Sequence, residues 1–326
     1  MKLSYEQLKA KISSMLVLLG LDSSESNWVA DVLIASELRG DKSHGVNYIY
    51  NIINVIKHPL YVSSAPILQD SGAITVLDGR YLVGPLAAKQ AIDIALDKAT
   101  EHGIAAVSIR SSNHLFSLSY YARFIAMQDM IGFIFSSSCP AMAAPNTLIP
   151  VIGTNPLAFG APSVSSPIVV DMSSTKVARG RIKEHQNKGT EIPSSWALDE
   201  LGNPTTSPEA ALHGSLQPIG EYKGFAIGCI VDILSSVLSG SAFSTQISGS
   251  SLHKKEINTE IRRKGDFILV LDIQHFMELN IFKSRMESFK NIIRKNGGYV
   301  PGTNYIENCC SEIEVDPAIF DKHNAD

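Results

Sequence analysis

Nine histidines are present, and imidazole is the side chain suited to moving protons near neutral pH. Two of them sit in polar, turn-forming surroundings. His44 follows Lys42-Ser43 and precedes Gly45, which relaxes the backbone; His114 closes Ser112-Asn113-His114, just past an expected strand. A histidine at the C-terminal end of a strand opens toward the crevice where ligands of α/β sheets bind. The plainer alternative for either is a loop histidine bonded to backbone. Serine hydrolysis has little support. There is no Gly-x-Ser-x-Gly elbow, and adjacency of Ser43 and His44 does not make a nucleophile–base pair. No His-Glu-x-x-His occurs, and Cys139, Cys229, Cys309 and Cys310 lack metal-ligand spacing, so no metal site is expected.

Phosphate-binding signatures are also missing. No Gly-x-Gly occurs anywhere, which removes both the Rossmann fingerprint and a kinase-type glycine loop, and there is no Walker sequence. Three other segments could hold a phosphate or ribose. Gly153-Thr154-Asn155-Pro156 is a turn with hydroxyl and amide donors. Asp171-Met172-Ser173-Ser174-Thr175 follows a strand. Gly220-Glu221-Tyr222-Lys223-Gly224 opens an apolar helix, where amides and a lysine favour an anion. Taken singly, each is more often an ordinary turn or cap.

The elements that must position these groups start with a helical lobe. Ser4 with Gln7 reads as a capping box for a helix up to residue 19. Helices are expected over 24–39 and 46–56. A strand at 73–77, a helix over 84–102 capped by Gly103, a strand at 104–109, a helix over 118–130 and a strand at 131–135 then alternate, which implies an α/β sheet. Further strands are expected at 157–159, 168–171 and 267–272. The apolar helix 225–238 is expected at the centre of the core, and 282–295 is amphipathic. Residues 183–220 and 240–265 read as long loops.

The 326 residues carry a net charge of −4 and 44% hydrophobic side chains. That supports a large core and gives no basic excess for nucleic acid or an anionic membrane. No apolar run reaches the roughly 20 residues needed to span a bilayer. Neither a secretory leader nor a disulfide framework is evident, so a cytoplasmic chain with reduced thiols is expected.

Taken in order, several short segments resemble the type-2 malate/L-lactate dehydrogenase family. They are Arg39-Gly40 with Ser43-His44-Gly45-Val46, then Ser112-Asn113-His114, then the run from Gly153 to Phe159. Val170-Asp171-Met172-Ser173 with Gly180, Tyr222-Lys223-Gly224-Phe225, Leu238-Ser239-Gly240 and Pro301-Gly302 complete the series. The resemblance implies an α/β, non-Rossmann fold: a mixed-sheet lobe over 71–274, and a helical lobe from 1–70 plus 275–326. It implies NAD or NADP, a homodimer, and hydride transfer between a 2-oxoacid and a 2-hydroxyacid. His44 and His114 match catalytic positions, with His44 favoured as proton donor. Ser43, Tyr48 and Asn113 are expected at the substrate. Ser138, Thr154, Asn155, Asp171, Met172, Ser173, Lys223, Gly302, Thr303 and Asn304 are expected at the cofactor.

Two departures stand out. Tyr48 occupies a position where many members carry arginine, so the substrate carboxylate is absent, held differently, or gripped by Arg39, Lys42 or Arg179. Arg39 is expected in a structural ion pair. Phe116-Ser117 replaces a glycine, which narrows or reshapes the pocket. The Ala143-Ala144-Pro145-Asn146 turn also lacks its usual glycines. Alternatives are a cyclic-imine reductase, and a non-catalytic member that binds rather than reacts.

Overall fold

A computed structural model describes residues 1–40, 44–247, 263–302 and 312–321. The N-terminal helices begin where local hydrogen bonding demands. α1 (Tyr5–Leu18) opens with the Ser4–Gln7 capping box and α2 (Ser23–Leu38) with an Asp22–Glu25 pair; in each, side chains satisfy first-turn amides. A 3₁₀ turn, Val46–Tyr48, leads into α3 (Ile49–Ile56).

The sheet is built from β1 (Ile67–Ser71), β2 (Ile74–Asp78), β3 (Ile104–Ser112), β4 (Met130–Ser136), β5 (Leu157–Ala161), β6 (Ile168–Met172) and β7 (Lys264–Asp272). Its spatial order is β1-β2-β3-β7-β4-β5-β6. Only β2 and β3 run parallel, joined by α4 (Gly84–His102), whose end Gly103 caps at φ 77°. Every other neighbouring pair is antiparallel, and β7, the last strand, inserts between β3 and β4. This is the mixed α/β sheet expected, without the run of parallel strands that builds a Rossmann crevice.

The main core joins α1 and α2 to the sheet through Leu8, Ile12, Leu33, Val107, Ile134 and Ile268, and Ile313 and Ile319 pack into it. α5 (Leu118–Met127) lies over β4 and β5, where Trp28 packs on Tyr120 and Phe124 at 5.1 and 4.9 Å and donates its indole N–H to Pro85 O. A second, smaller core occupies the stretch expected to be a long loop. There α6 (Arg179–Lys188) and α7 (Pro208–His213) pack Ile182, Ala211 and Leu212 around Ala141 and Val177.

The apolar helix expected at the centre of the core is instead a surface element. α8 (Tyr222–Asp232) continues as a π-helical turn, Ile233–Val237. It buries Gly224, Gly228, Val231, Asp232, Ser235 and Ser236, while Ile230 and Leu238 remain 53% and 62% exposed. Close approach decides the inward face. A Cβ on Gly265 would sit 1.7 Å from Ser235 O, and the Ser236 hydroxyl bonds the Ser137 hydroxyl at 2.6 Å. Small and hydroxylated residues therefore face in, and branched ones face out. The amphipathic helix α9 (Leu279–Lys295) shows the same inversion: Lys290 is its buried residue, and Phe289 and Ile292 are exposed. Lys290 Nζ donates to Ser165 Oγ and Ser166 O at 2.8 and 2.7 Å.

Candidate active site

His44 and His114 meet. Their ring centroids lie 5.1 Å apart with planes 19° from parallel. Tyr48 joins them at 6.2 Å from His44 and 5.9 Å from His114. Phe116 stands across this group, 4.9 Å from His114 and 5.8 Å from Tyr48.

The backbone beside each histidine is fixed from outside the cluster. Gly45 has no side chain because Glu37 occupies the space; an added Cβ would lie 2.1 Å from Glu37 Oε1, which accepts from the Val46 amide at 2.8 Å. The carboxylate thus fixes the turn after His44. On the other side, Gly84 lets the start of α4 approach the His114 carbonyl, where a Cβ would come within 2.0 Å. The buried Tyr121 hydroxyl donates to Leu115 O at 2.7 Å, and its phenol pKa is raised well above the ordinary value, chiefly by burial. The Phe116 amide donates to His114 Nδ1 at 2.9 Å.

A second group of expected residues gathers at the ends of β5 and β6. Ser138 Oγ lies 3.2 Å from Thr154 Oγ1, and Ser174 donates to Thr154 O from both its amide and its hydroxyl, at 2.9 and 2.8 Å. Ser173 Oγ donates to Thr175 O at 2.9 Å. The first turn of α8 docks here because position 224 is glycine: a Cβ would fall 2.4 Å from Ile219 O and 2.6 Å from Ser174 O. That leaves Lys223 exposed at the helix start, preceded by Glu221 at φ 57°. Gly302, at φ 89°, packs on Val169 of β6, and Pro301 O accepts from the Val169 amide. The hydroxyls of Ser138, Thr154 and Ser173 and the Lys223 side chain, from distant segments, make a cradle whose chemistry fits the hydroxyls and phosphates of a dinucleotide, while the Ser138 and Ser174 amides are taken up by Asn155 Oδ1 and Thr154 O.

Some expected residues have other work. Asn155 is fully buried, so its side chain cannot touch a cofactor; it donates to Gly228 O at 2.9 Å and accepts from the Ser138 amide at 3.0 Å, bracing the cradle from behind. Asn113 is 8% exposed and donates to Leu82 O at 2.8 Å, a link that holds the end of β3 where substrate contact was expected. Asp171 connects the two groups: its carboxylate accepts from the Ser119 amide at 2.8 Å and pairs with Arg39 at 3.2 Å, the structural ion pair expected of Arg39. Arg179 bonds only backbone carbonyls, Leu212 O and Pro140 O, and burial lowers its pKa. Ser43, Thr303 and Asn304, and with them Lys42, lie outside the described residues. Sequence reasoning missed Glu37, Gly84 and Tyr121, and it treated Phe116 only as an obstruction. Only the glycines at 45 and 84 carried any signal of close approach. Among the described residues no metal-ligating cluster occurs and no helix is long and apolar enough to cross a membrane.

Residues 3–306 match the family model described as malate/L-lactate dehydrogenase. The chain is 30% identical over 329 residues to the L-sulfolactate dehydrogenase of Methanothermobacter thermautotrophicus, covering 99% of this chain and 95% of that one. It is 31% identical over 291 residues to a ureidoglycolate dehydrogenase (NAD(+)) of Escherichia coli O157:H7, covering 88% and 81%. With the Delta(1)-pyrroline-2-carboxylate reductase of Agrobacterium fabrum it shares 30% over 249 residues, covering 75% and 72%. The solved structure of sulfolactate dehydrogenase from Methanocaldococcus jannaschii superposes with a TM-score of 0.88 at 28% identity, covering 99% of this chain and 95% of that one. The chain belongs to the malate/L-lactate dehydrogenase family and is an oxidoreductase.

Proposed function

We propose that this protein uses NADH or NADPH to interconvert a small 2-oxoacid and the corresponding 2-hydroxyacid, with an imidazole supplying the proton. The observation that carries this reading is the meeting of His44 and His114, remote in sequence, ring beside ring at 5.1 Å. The bound nicotinamide supplies the hydride. Ser138, Thr154, Met172 and Ser173 line the cradle for its phosphates and riboses, and Lys223 adds a positive charge. His44 donates the proton and His114 hydrogen-bonds the reacting oxygen. Tyr48 offers a phenol hydrogen bond but no charge. The sulfolactate and ureidoglycolate activities named for relatives support a 2-hydroxyacid-type substrate.

Cyclic-imine reduction is the second reading. Tyr48 and Phe116 favour it, because rings face the histidines where a flat heterocycle could stack, and one relative is named as a pyrroline-carboxylate reductase. The exposed stripe Ile230, Ile233, Val237 and Leu238 supports a homodimer, measurable by light scattering. Neither Cys139 nor Cys229 is joined in a disulfide among the described residues, which suits a cytoplasmic setting.

The test mixes the protein with each reduced nucleotide and a panel of 2-oxoacids and cyclic imino acids, following nicotinamide absorbance. Turnover of at least one pair is expected. His44→Ala and His114→Ala should each lower kcat at least about 100-fold with unchanged circular dichroism. Normal turnover in both variants, or no calorimetric binding of either nucleotide, overturns the reading.

A further inference from the structure

Phe116 combines features that ordinary core packing does not require. Its φ is 64°, in the left-handed region that bulky side chains rarely adopt. The residue is 7% exposed, and its ring crosses His114 at 71° and Tyr48 at 77°. The rings of His44, Tyr48 and His114 are themselves near-parallel, with interplanar angles from 10° to 19°. The group is thus a set of similarly oriented flat faces with one ring set across it. Strain of this kind persists where neighbours over-determine the backbone. Here Tyr121 holds Leu115 O on one side, and Asp171 holds the Ser119 amide on the other.

The Phe116 amide also fixes chemistry. It donates to His114 Nδ1 at 2.9 Å. An imidazolium carries N–H at both nitrogens, so this bond belongs to the neutral ring with its proton on Nε2.

We infer that Phe116 is the positioning and specificity residue of this site: its amide sets His114 as the Nε2–H tautomer, and its ring limits the substrate to short-chain 2-oxo or 2-imino acids that are flat at the reacting carbon. The inference rests on the 2-oxoacid reading proposed above and assigns separate work to the two histidines. In the reducing direction the substrate carbon gains a hydride from the reduced nicotinamide. The oxygen or nitrogen accepts a hydrogen bond from His114 Nε2–H and takes its proton from His44, which solvent then reprotonates. Branched or aromatic substrate chains meet the Phe116 ring.

The variants are Phe116→Gly, which suits the left-handed backbone, and Phe116→Ala. Both keep the amide. Long-range proton–nitrogen NMR of imidazole-labelled wild type and variants should show His114 as the neutral Nε2–H tautomer throughout. The ratio of kcat/KM for branched or phenyl-bearing 2-oxoacids to that for the smallest should rise at least about tenfold in both variants. An Nδ1–H tautomer in the wild type overturns the clamp. A uniform loss across the panel, or unchanged selectivity at a wild-type melting temperature, overturns the ring's role. If the wild type turns over no acid, the proposed 2-oxoacid reading fails instead. The NMR tautomer then still decides the clamp, and acid titrations followed on the same histidine resonances decide selectivity.

Discussion

Around His114 the chain presents side chains; around Thr154 it presents backbone. The first region brings the rings of His44, Tyr48 and His114 to centroid distances of 5.1 to 6.2 Å, sets Phe116 4.9 Å from His114, and keeps that bulky residue at φ 64° to do so. The second is assembled from amides, carbonyls and small hydroxyls, with glycine at 153, 224 and 302, where segments approach closely. The contrast fits the proposed function. Proton transfer needs a particular titratable atom at a particular place. A dinucleotide, on the proposed reading, needs several hydroxyls and a cation at modest precision. Substitutions should therefore harm the ring cluster by removing groups and harm the cradle by adding them.

The largest effect is expected where volume is added to the cradle. Gly224→Ala puts a methyl 2.4 to 2.6 Å from backbone atoms of Ile219 and Ser174, none of which can rotate away. We expect a stability loss of about 1–3 kcal/mol or more and nucleotide affinity reduced at least about tenfold, read by thermal melting and calorimetry. Wild-type affinity would break the comparison. Asn155→Ala comes next. It strands the part-buried Ser138 amide, at about 1–3 kcal/mol, while Gly228 O stays within the α8 helix and loses only its second donor. Denaturant titration measures the loss, and a neutral result would show that the brace is dispensable.

Asp171→Asn, at the junction, should cost about 1 kcal/mol or less, because the partly exposed Arg39 pair is weak and asparagine still accepts from the Ser119 amide. The smallest effect belongs to a site remote from both regions. Burial would raise Glu287, but hydrogen bonds from Ser163, Ser165 and Lys290 outweigh it and hold its pKa at about 2, below the ordinary 4.5. Its contribution to stability is therefore present above pH 4.5 and is lost as pH falls toward 2. Glu287→Gln should flatten that part of the acid melting profile and leave turnover at neutral pH as it was. An unchanged acid profile would remove Glu287 from the account.

Much of the frame was legible in the sequence. The Ser4–Gln7 box, the Gly103 cap and the 84–102 helix are read correctly because caps and turns are made by neighbours in the chain. His44 and His114 stood out because each lies in a polar turn. α8 misled because apolar content was taken for burial, whereas its inward face is chosen by the room that Gly224, Gly228 and two serines leave for other backbone. The burial of Asn155 and the left-handed Phe116 had no signal, since nothing local distinguishes a braced asparagine or a strained phenylalanine from an ordinary one.

The sequence by itself determined where most elements start and stop and which side chains could do chemistry, since those follow from hydrogen bonds and atom types within a few residues. Only the tertiary structure decided that His44 and His114 face each other, that Asp171 joins α2 to α5, and that the Phe116 amide holds an imidazole nitrogen. Those outcomes depend on surfaces brought together from distant parts of the chain, and contact between them is a property of the packed whole.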